Sequence, residues 1–191
     1  GQSGGMIERL KVHVLDSQSA RRAQIARLVF TAGYHAEIYA DRSEFMAHSP
    51  SDGVILAFDN GHGAELVAGL TAGLADEGTW LPVVMFSEEE DPSYIEEAVD
   101  AGVTAYMVGG VEAERVKPVI DVAMAQFKSF QALRQALDST RTQLESLSVI
   151  DRAKSLLMQQ HSVSEDKAHK LLRTLSMDTN QSLPQAAESV I

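Results

Sequence analysis

Asp52-Gly53-Val54-Ile55-Leu56-Ala57 holds a short, unbroken apolar run between a turn signal and a glycine-rich loop. A second run of the same kind, Val83-Val84-Met85, follows Pro82. Runs this short and continuous fit strands buried on both faces, the pattern of a parallel sheet covered by helices. Working outward, residues 12–15 and 36–39 read as strands before the first run, and residues 82–86 and 105–108 as strands after it. Between them lie amphipathic helices at 19–32 (Ile25, Leu28 and Val29 inward, closed by Gly33), 42–47, 64–74 and 92–101.

Five strand–helix units predict an α/β flavodoxin-like doubly wound domain with a five-stranded parallel sheet, assigned to residues 9–120. Its functional edge is the carboxyl end of the strands. At that edge stand Asp16 and Ser17 after the first strand, Ala57 after the third, Ser87 after the fourth and Gly109 after the fifth. The loop Phe58-Asp59-Asn60-Gly61-His62-Gly63 reads first as a turn and second as a docking point. Asp59 lies two residues past Ala57 and so on the same side of an extended chain. The run Glu88-Glu89-Glu90-Asp91 reads as a solvated helix entry, favoured by the helix dipole.

From residue 112 to 160 there is no glycine and one proline, Pro118, near the start, which predicts one long helix. Within it Phe130, Leu133, Leu137, Thr140, Leu144 and Leu147 follow alternating spacings of three and four, the seam of a coiled coil. Residues 121–150 are therefore read as a coiled-coil linker, with a parallel homodimer expected to cover the seam. Residues 151–191 carry three further helical stripes that share one small all-α core: Ile150, Ala153 and Leu157, then Ala168, Leu171, Leu172 and Leu175, then Leu183, Ala186, Ala187 and Val190. Leu156, Leu157, Leu171, Leu172 and Leu175 are expected in the core. Ser164 reads as a helix N-cap.

The chain has 191 residues, 45% of them hydrophobic, enough for packed cores. Its net charge of -11 argues against a polyanionic partner until the charge is located. Residues 1–120 hold 8 Lys and Arg against 19 Asp and Glu, whereas residues 151–191 hold 5 against 5. The acidity thus belongs to the front domain, and a nucleic-acid role is permitted for the tail. With no cysteine, disulfides and thiolate chemistry are excluded, in keeping with a reducing cytoplasm. No apolar run of about 18 residues and no leader pattern is present, so no membrane association is expected. Gly1-Gln2-Ser3-Gly4-Gly5 has the composition of a cloning remnant, and residues 1–8 are set apart as a remnant and disordered start. No His pair at metal-ligand spacing, phosphate loop or nucleophile elbow occurs, so neither an enzyme, a metal site nor a cofactor is expected.

The set Ala153-Lys154, Leu157-Met158, Ala168, Leu171-x-Arg173 and Ala187 closely resembles the ANTAR RNA-binding module of bacterial transcription antiterminators. The front domain resembles the receiver domain of two-component response regulators, with its phosphorylation chemistry degraded. Ser17 stands beside the acidic Asp16, Ala57 stands at the phospho-acceptor position, and Gly109 stands at the lysine position, with Ser87 retained.

This resemblance implies a pseudo-receiver controlled by a regulatory sensor protein or a ligand rather than by aspartyl phosphorylation. It also implies a dimeric, cytoplasmic antiterminator that binds leader RNA with paired stem-loops. Candidate RNA contacts are Arg152, Lys154, Met158, His161, His169, Lys170, Arg173 and Asn180. The alternative is a two-component response regulator with a DNA-binding helix-turn-helix output, which usually places more cations on its recognition helix.

Overall fold

The computed structural model describes residues 9–88 and 92–191, so residues 1–8 and Glu89, Glu90 and Asp91 of the acidic run lie outside the described residues. Five strands form one parallel sheet: β1 (Lys11–Leu15), β2 (His35–Tyr39), β3 (Val54–Phe58), β4 (Val83–Ser87) and β5 (Ala105–Val108). Their order is β2-β1-β3-β4-β5, with Val14 in register between Ile38 and Leu56. The helices are α1 (Ser19–Thr31), α2 (Arg42–Ala47), α3 (Gly63–Asp76), α4 (Pro92–Asp100), α5 (Ala113–His161), α6 (Glu165–Asp178) and α7 (Leu183–Val190).

The period of two decides which face each strand residue serves. Val54 and Leu56 point to a core shared with Ile25 and Val29 of α1 and with Val116, Ile120 and Ala123 of α5. Ile55 and Ala57 point the other way, among Phe45 of α2, Val67, Leu70 and Leu74 of α3, and Ala98 of α4. The runs Val54-Ile55-Leu56-Ala57 and Val83-Val84-Met85 are nearly fully buried, as a doubly covered parallel sheet requires. Leu28 packs at the edge of the first core, beside the buried Ile25 and Val29.

The chain divides into two compact units, residues 1–130 and 131–191. The first contains the sheet and its helices. The second contains a core of Ala153, Leu157, Ala168, Leu172 and Ala187, with Val149, Ile150, Val163, Leu183 and Val190 packed around it. Three of its five central residues are alanines, which lets short helices approach closely but buries little surface. Polar caps define their ends. The Ser164 hydroxyl accepts from the Lys167 N–H, and Ser182 and Gln185 form a reciprocal capping box.

Leu171 departs from expectation. It is 41% exposed and outside that core, because the eight-residue α7 covers the Ala168–Leu172 side of α6 and not the flank on which Leu171 lies. Leu156 and Leu175 are half-buried.

Candidate functional site

At the carboxyl end of the sheet, Asp16 follows β1 with its side chain wholly buried, and Arg21 of α1 reaches back across it. Arg21 Nε donates to Oδ2 at 2.6 Å and Nη2 donates to Oδ1 at 2.8 Å, while the Gln18 N–H donates to Oδ1 at 3.0 Å. The same guanidinium stacks on the Phe58 ring at 3.3 Å from its centroid. Asp16 is therefore satisfied by a resident cation. Charge-assisted bidentate pairs of this geometry are among the strong hydrogen bonds.

Ala57 is buried and brings no carboxylate. Ser87 is also buried, at 5% exposure. Gly109 and Gly110 both take left-handed backbone, with φ of 81° and 91°, where a lysine would be strained. The Mg²⁺ of a working receiver does not suit this donor set: Asp16 has one bidentate cation already, and Ser17 and Ala57 supply no charge. Among the described residues no cluster of three or more His, Asp or Glu side chains could hold a metal ion. Lys117 lies on α5 and pairs with Asp121 at 2.9 Å, a contact that raises its pKa.

Asp59 is hydrogen-bonded through both carboxylate oxygens. Its Oδ1 accepts from the Gly61 and Gly63 N–H groups at 2.9 and 3.0 Å, and its Oδ2 accepts from the Tyr106 hydroxyl at 2.8 Å. The loop is thus a turn closed by its own aspartate at the start of α3. A Cβ added at Gly63 would stand 2.5 Å from the Asp59 carboxyl carbon, so only glycine admits this closure. A cavity of about 260 Å³ lies beside it, lined by Asp59, Ser87, Tyr94 and Tyr106 among others.

Neither Arg21 nor Tyr106 was singled out in the sequence. The Arg21-Arg22 pair five residues past Asp16, on the first turn of a helix, is the signal that could have marked the former.

In the second unit, Lys154, Met158 and His161 follow spacings of four and three and share one flank of α5. Lys154 is largely covered, its side chain 18% exposed, with Nζ 3.9 Å from Glu165 Oε1. Met158 and His161 are exposed. On α6, Arg173 is exposed and its Nη2 lies 3.2 Å from His169 Nε2. The exposed Lys170 stands on the outer side of that helix.

Arg152 stands apart. It is roughly 200° around the helix from Lys154 and borders a groove with Leu144, Leu147, Asp151 and Ile191. Asn180, also exposed, takes the left-handed conformation just past α6 (φ 53°), which asparagine tolerates better than most residues. The residues that carried the family resemblance divide in two: Ala153, Leu157, Ala168 and Ala187 are buried, and Met158, Leu171 and Arg173 face outward.

The family model of the ANTAR domain matches residues 131–191, the same stretch as the second compact unit. Residues 131–191 are an ANTAR domain. The match takes in the part of α5 that carries Leu133, Leu137, Leu144 and Leu147. The chain is 29% identical over 110 residues to the transcriptional regulatory protein PdtaR of Mycobacterium tuberculosis, over 58% of this chain and 54% of that protein. It is 25% identical over 134 residues to the aliphatic amidase regulator of Pseudomonas aeruginosa, over 70% of this chain and 66% of the regulator. These alignments span between about half and two thirds of the curated relatives' length.

Among solved structures, the chemotaxis protein CheY4 of Vibrio cholerae aligns with a TM-score of 0.53 at 22% identity, over 60% of this chain and 98% of that one. Full-length FixJ from B. japonicum aligns at 0.54 and 16%, over 94% and 96%. These likenesses carry the fold alone: the unit ahead of the ANTAR domain has the receiver fold. No helix among the described residues is long and apolar enough to cross a membrane.

Proposed function

We propose that this chain is a transcription antiterminator that binds stem-loops of nascent leader RNA through its ANTAR domain. In this reading it is controlled through its receiver-like unit by a partner protein or ligand, not by phosphate. The observation that carries the control half is the bidentate Asp16–Arg21 pair, which puts a cation of the protein itself where a phosphorylatable receiver needs an open acidic site. The ANTAR match over residues 131–191, together with relatives named as regulators, supports the RNA half.

The chemistry of such binding is modest in kind. Cations hold phosphates, and exposed side chains meet the unstacked bases of a loop. Lys154, Lys170 and Arg173 are the cations assigned to the phosphates, with Arg152 nearer the α5 seam; Met158, His161, His169 and Asn180 are assigned to loop bases. Two domains presented by a dimer would meet two stem-loops, raising the effective concentration of the second contact. The stripe Phe130, Leu133, Leu137, Leu144 and Leu147 is at least 57% exposed at every position, which supports burial against a second copy.

The test is a gel shift with a two-hairpin leader RNA against duplex DNA of equal length at fixed salt. Tighter binding to the RNA is expected. Equal or tighter binding to DNA would move the assignment to a DNA-binding response regulator.

A further inference from the structure

We propose that the groove between α5, α6 and α7 of the ANTAR domain receives one unstacked base of a hairpin loop, with the buried Leu172 at its floor and Leu171, Lys167 and His161 at its rim. This rests on the RNA-binding reading above and goes beyond it by naming where a base would sit. Neither Lys167 nor Leu171 was a candidate contact from the sequence.

The groove encloses about 420 Å³, inside the range of roughly 300–1,000 Å³ typical of sites for small organic ligands. Its walls are Leu157, Val163, Leu175 and Val190, apolar surfaces suited to the faces of a planar ring. Leu171, at 41% exposure, is an apolar side chain that its own fold leaves uncovered.

The charge around this groove is one-sided. His161 and Lys167 line it, no Asp or Glu does, and neither residue makes an ion pair among the described residues. Of the other cations in residues 151–191, Lys170 is exposed on α6 and likewise makes no ion pair among the described residues, while the remaining three stand against other groups. Lys154 is beside Glu165, Arg173 touches His169, and the Arg152 groove includes Asp151. An apolar floor with one ammonium, that of Lys167, and an imidazole at its rim matches a ligand that is a flat heterocycle joined to phosphate. The imidazole nitrogens of His161 offer a donor and an acceptor to a base edge, and the Lys167 ammonium has the reach of a phosphate contact.

The experiment uses the full chain and a hairpin RNA of fixed stem, chosen for binding from a pool with a randomised loop. Each loop nucleotide is then replaced in turn by an abasic one, and binding is followed by fluorescence anisotropy. One abasic position is expected to weaken binding about tenfold, the measure of one good contact. Leu171→Ser should bind the intact RNA as weakly as wild type binds that abasic RNA, and should not be weakened further by the lesion. Such non-additivity marks a shared contact.

Lys167→Gln, which leaves the apolar packing untouched, should show partial coupling to the same position. Independent, multiplying effects, or an unchanged affinity in Leu171→Ser, would overturn the proposal. If Leu171→Ser instead changes the oligomeric state in sedimentation while the loop preference stays, the groove is an interface between copies and the base assignment is wrong. If no hairpin is preferred over duplex DNA, the RNA reading itself falls first.

Discussion

Arg21 grips both carboxylate oxygens of Asp16, with Nε 2.6 Å from Oδ2 and Nη2 2.8 Å from Oδ1, and lies flat on the Phe58 ring. A buried carboxylate without its partner is costly, so Arg21→Ala should lower unfolding free energy by about 3 kcal/mol, measured as a fall in urea midpoint at constant slope. Asp16→Asn should be milder, since it removes the charge that needs pairing.

Acetyl phosphate with Mg²⁺ should give no phospho-adduct by intact mass, on the wild type or on Ala57→Asp. The second outcome follows because restoring the acceptor does not remove Arg21 or supply a cation at Gly109. An adduct on wild type at Asp59 would refute the control half of the proposed function.

The Asp59 turn predicts two losses of different size. Asp59→Ala takes away the acceptor shared by the Gly61 and Gly63 N–H groups and the Tyr106 hydroxyl, at about 2–3 kcal/mol, whereas Tyr106→Phe keeps both backbone bonds of the turn and should cost less, about 1 kcal/mol. Gly63→Ala should resemble Asp59→Ala in denaturation, because its Cβ displaces the same carboxylate. A neutral Gly63→Ala would contradict the turn as described.

How far these contacts were legible depends on their span. Val54-Ile55-Leu56 and Val83-Val84-Met85 declared buried strands because both of their faces are covered, and Gly33 and Ser164 marked helix ends by local chemistry alone. The Tyr106 hydroxyl meets Asp59 across 47 positions of sequence, and no local pattern encodes a contact between the end of β3 and β5, which β4 separates in the sheet. Leu171 misled for another reason. A stripe of Ala168, Leu171, Leu172 and Leu175 fixes which side of α6 is apolar, yet how much of it is covered depends on the length and placement of α7.

His13 gives the fold an acid-sensitive point. It is 2% exposed, packed edge-on to Phe45, with Nε2 donating to the Asp52 carbonyl oxygen at 2.8 Å and Nδ1 without a partner among the described residues. Burial holds its pKa below the ordinary 6.5, against the opposing pull of the Asp52 carbonyl. The folded state keeps it neutral while the unfolded chain takes up a proton below about 6.5. Its contribution is therefore full above that value and lost as pH falls through the lowered one. Urea midpoints should drop from pH 7.5 to 5.5, and His13→Leu should reduce that drop; an unaltered drop would place the sensitivity elsewhere.

Exposure of the α5 stripe sets the oligomer prediction. Leu137→Asp places a charge at the centre of the expected seam and should convert dimer to monomer in sedimentation equilibrium, with helix content largely kept by the ANTAR core. A wild-type monomer at all concentrations would remove the seam from the mechanism.

Lys154 is the cation whose RNA role is most sharply testable, because its ammonium is near Glu165 at 3.9 Å and mostly covered. If it contacts phosphate, Glu165 competes for it and repels the backbone as well. Lys154→Ala and Arg173→Ala should each weaken leader-RNA binding by about 1 kcal/mol or more and flatten its salt dependence. Glu165→Gln should do the opposite, tightening binding most at low salt, where the removed repulsion is least screened. Were Lys154 purely structural, Glu165→Gln would still remove a negative charge and steepen association slightly, but Lys154→Ala would change stability and leave the salt slope alone. The slope of Lys154→Ala, read beside its urea midpoint, therefore separates a phosphate contact from a surface pair.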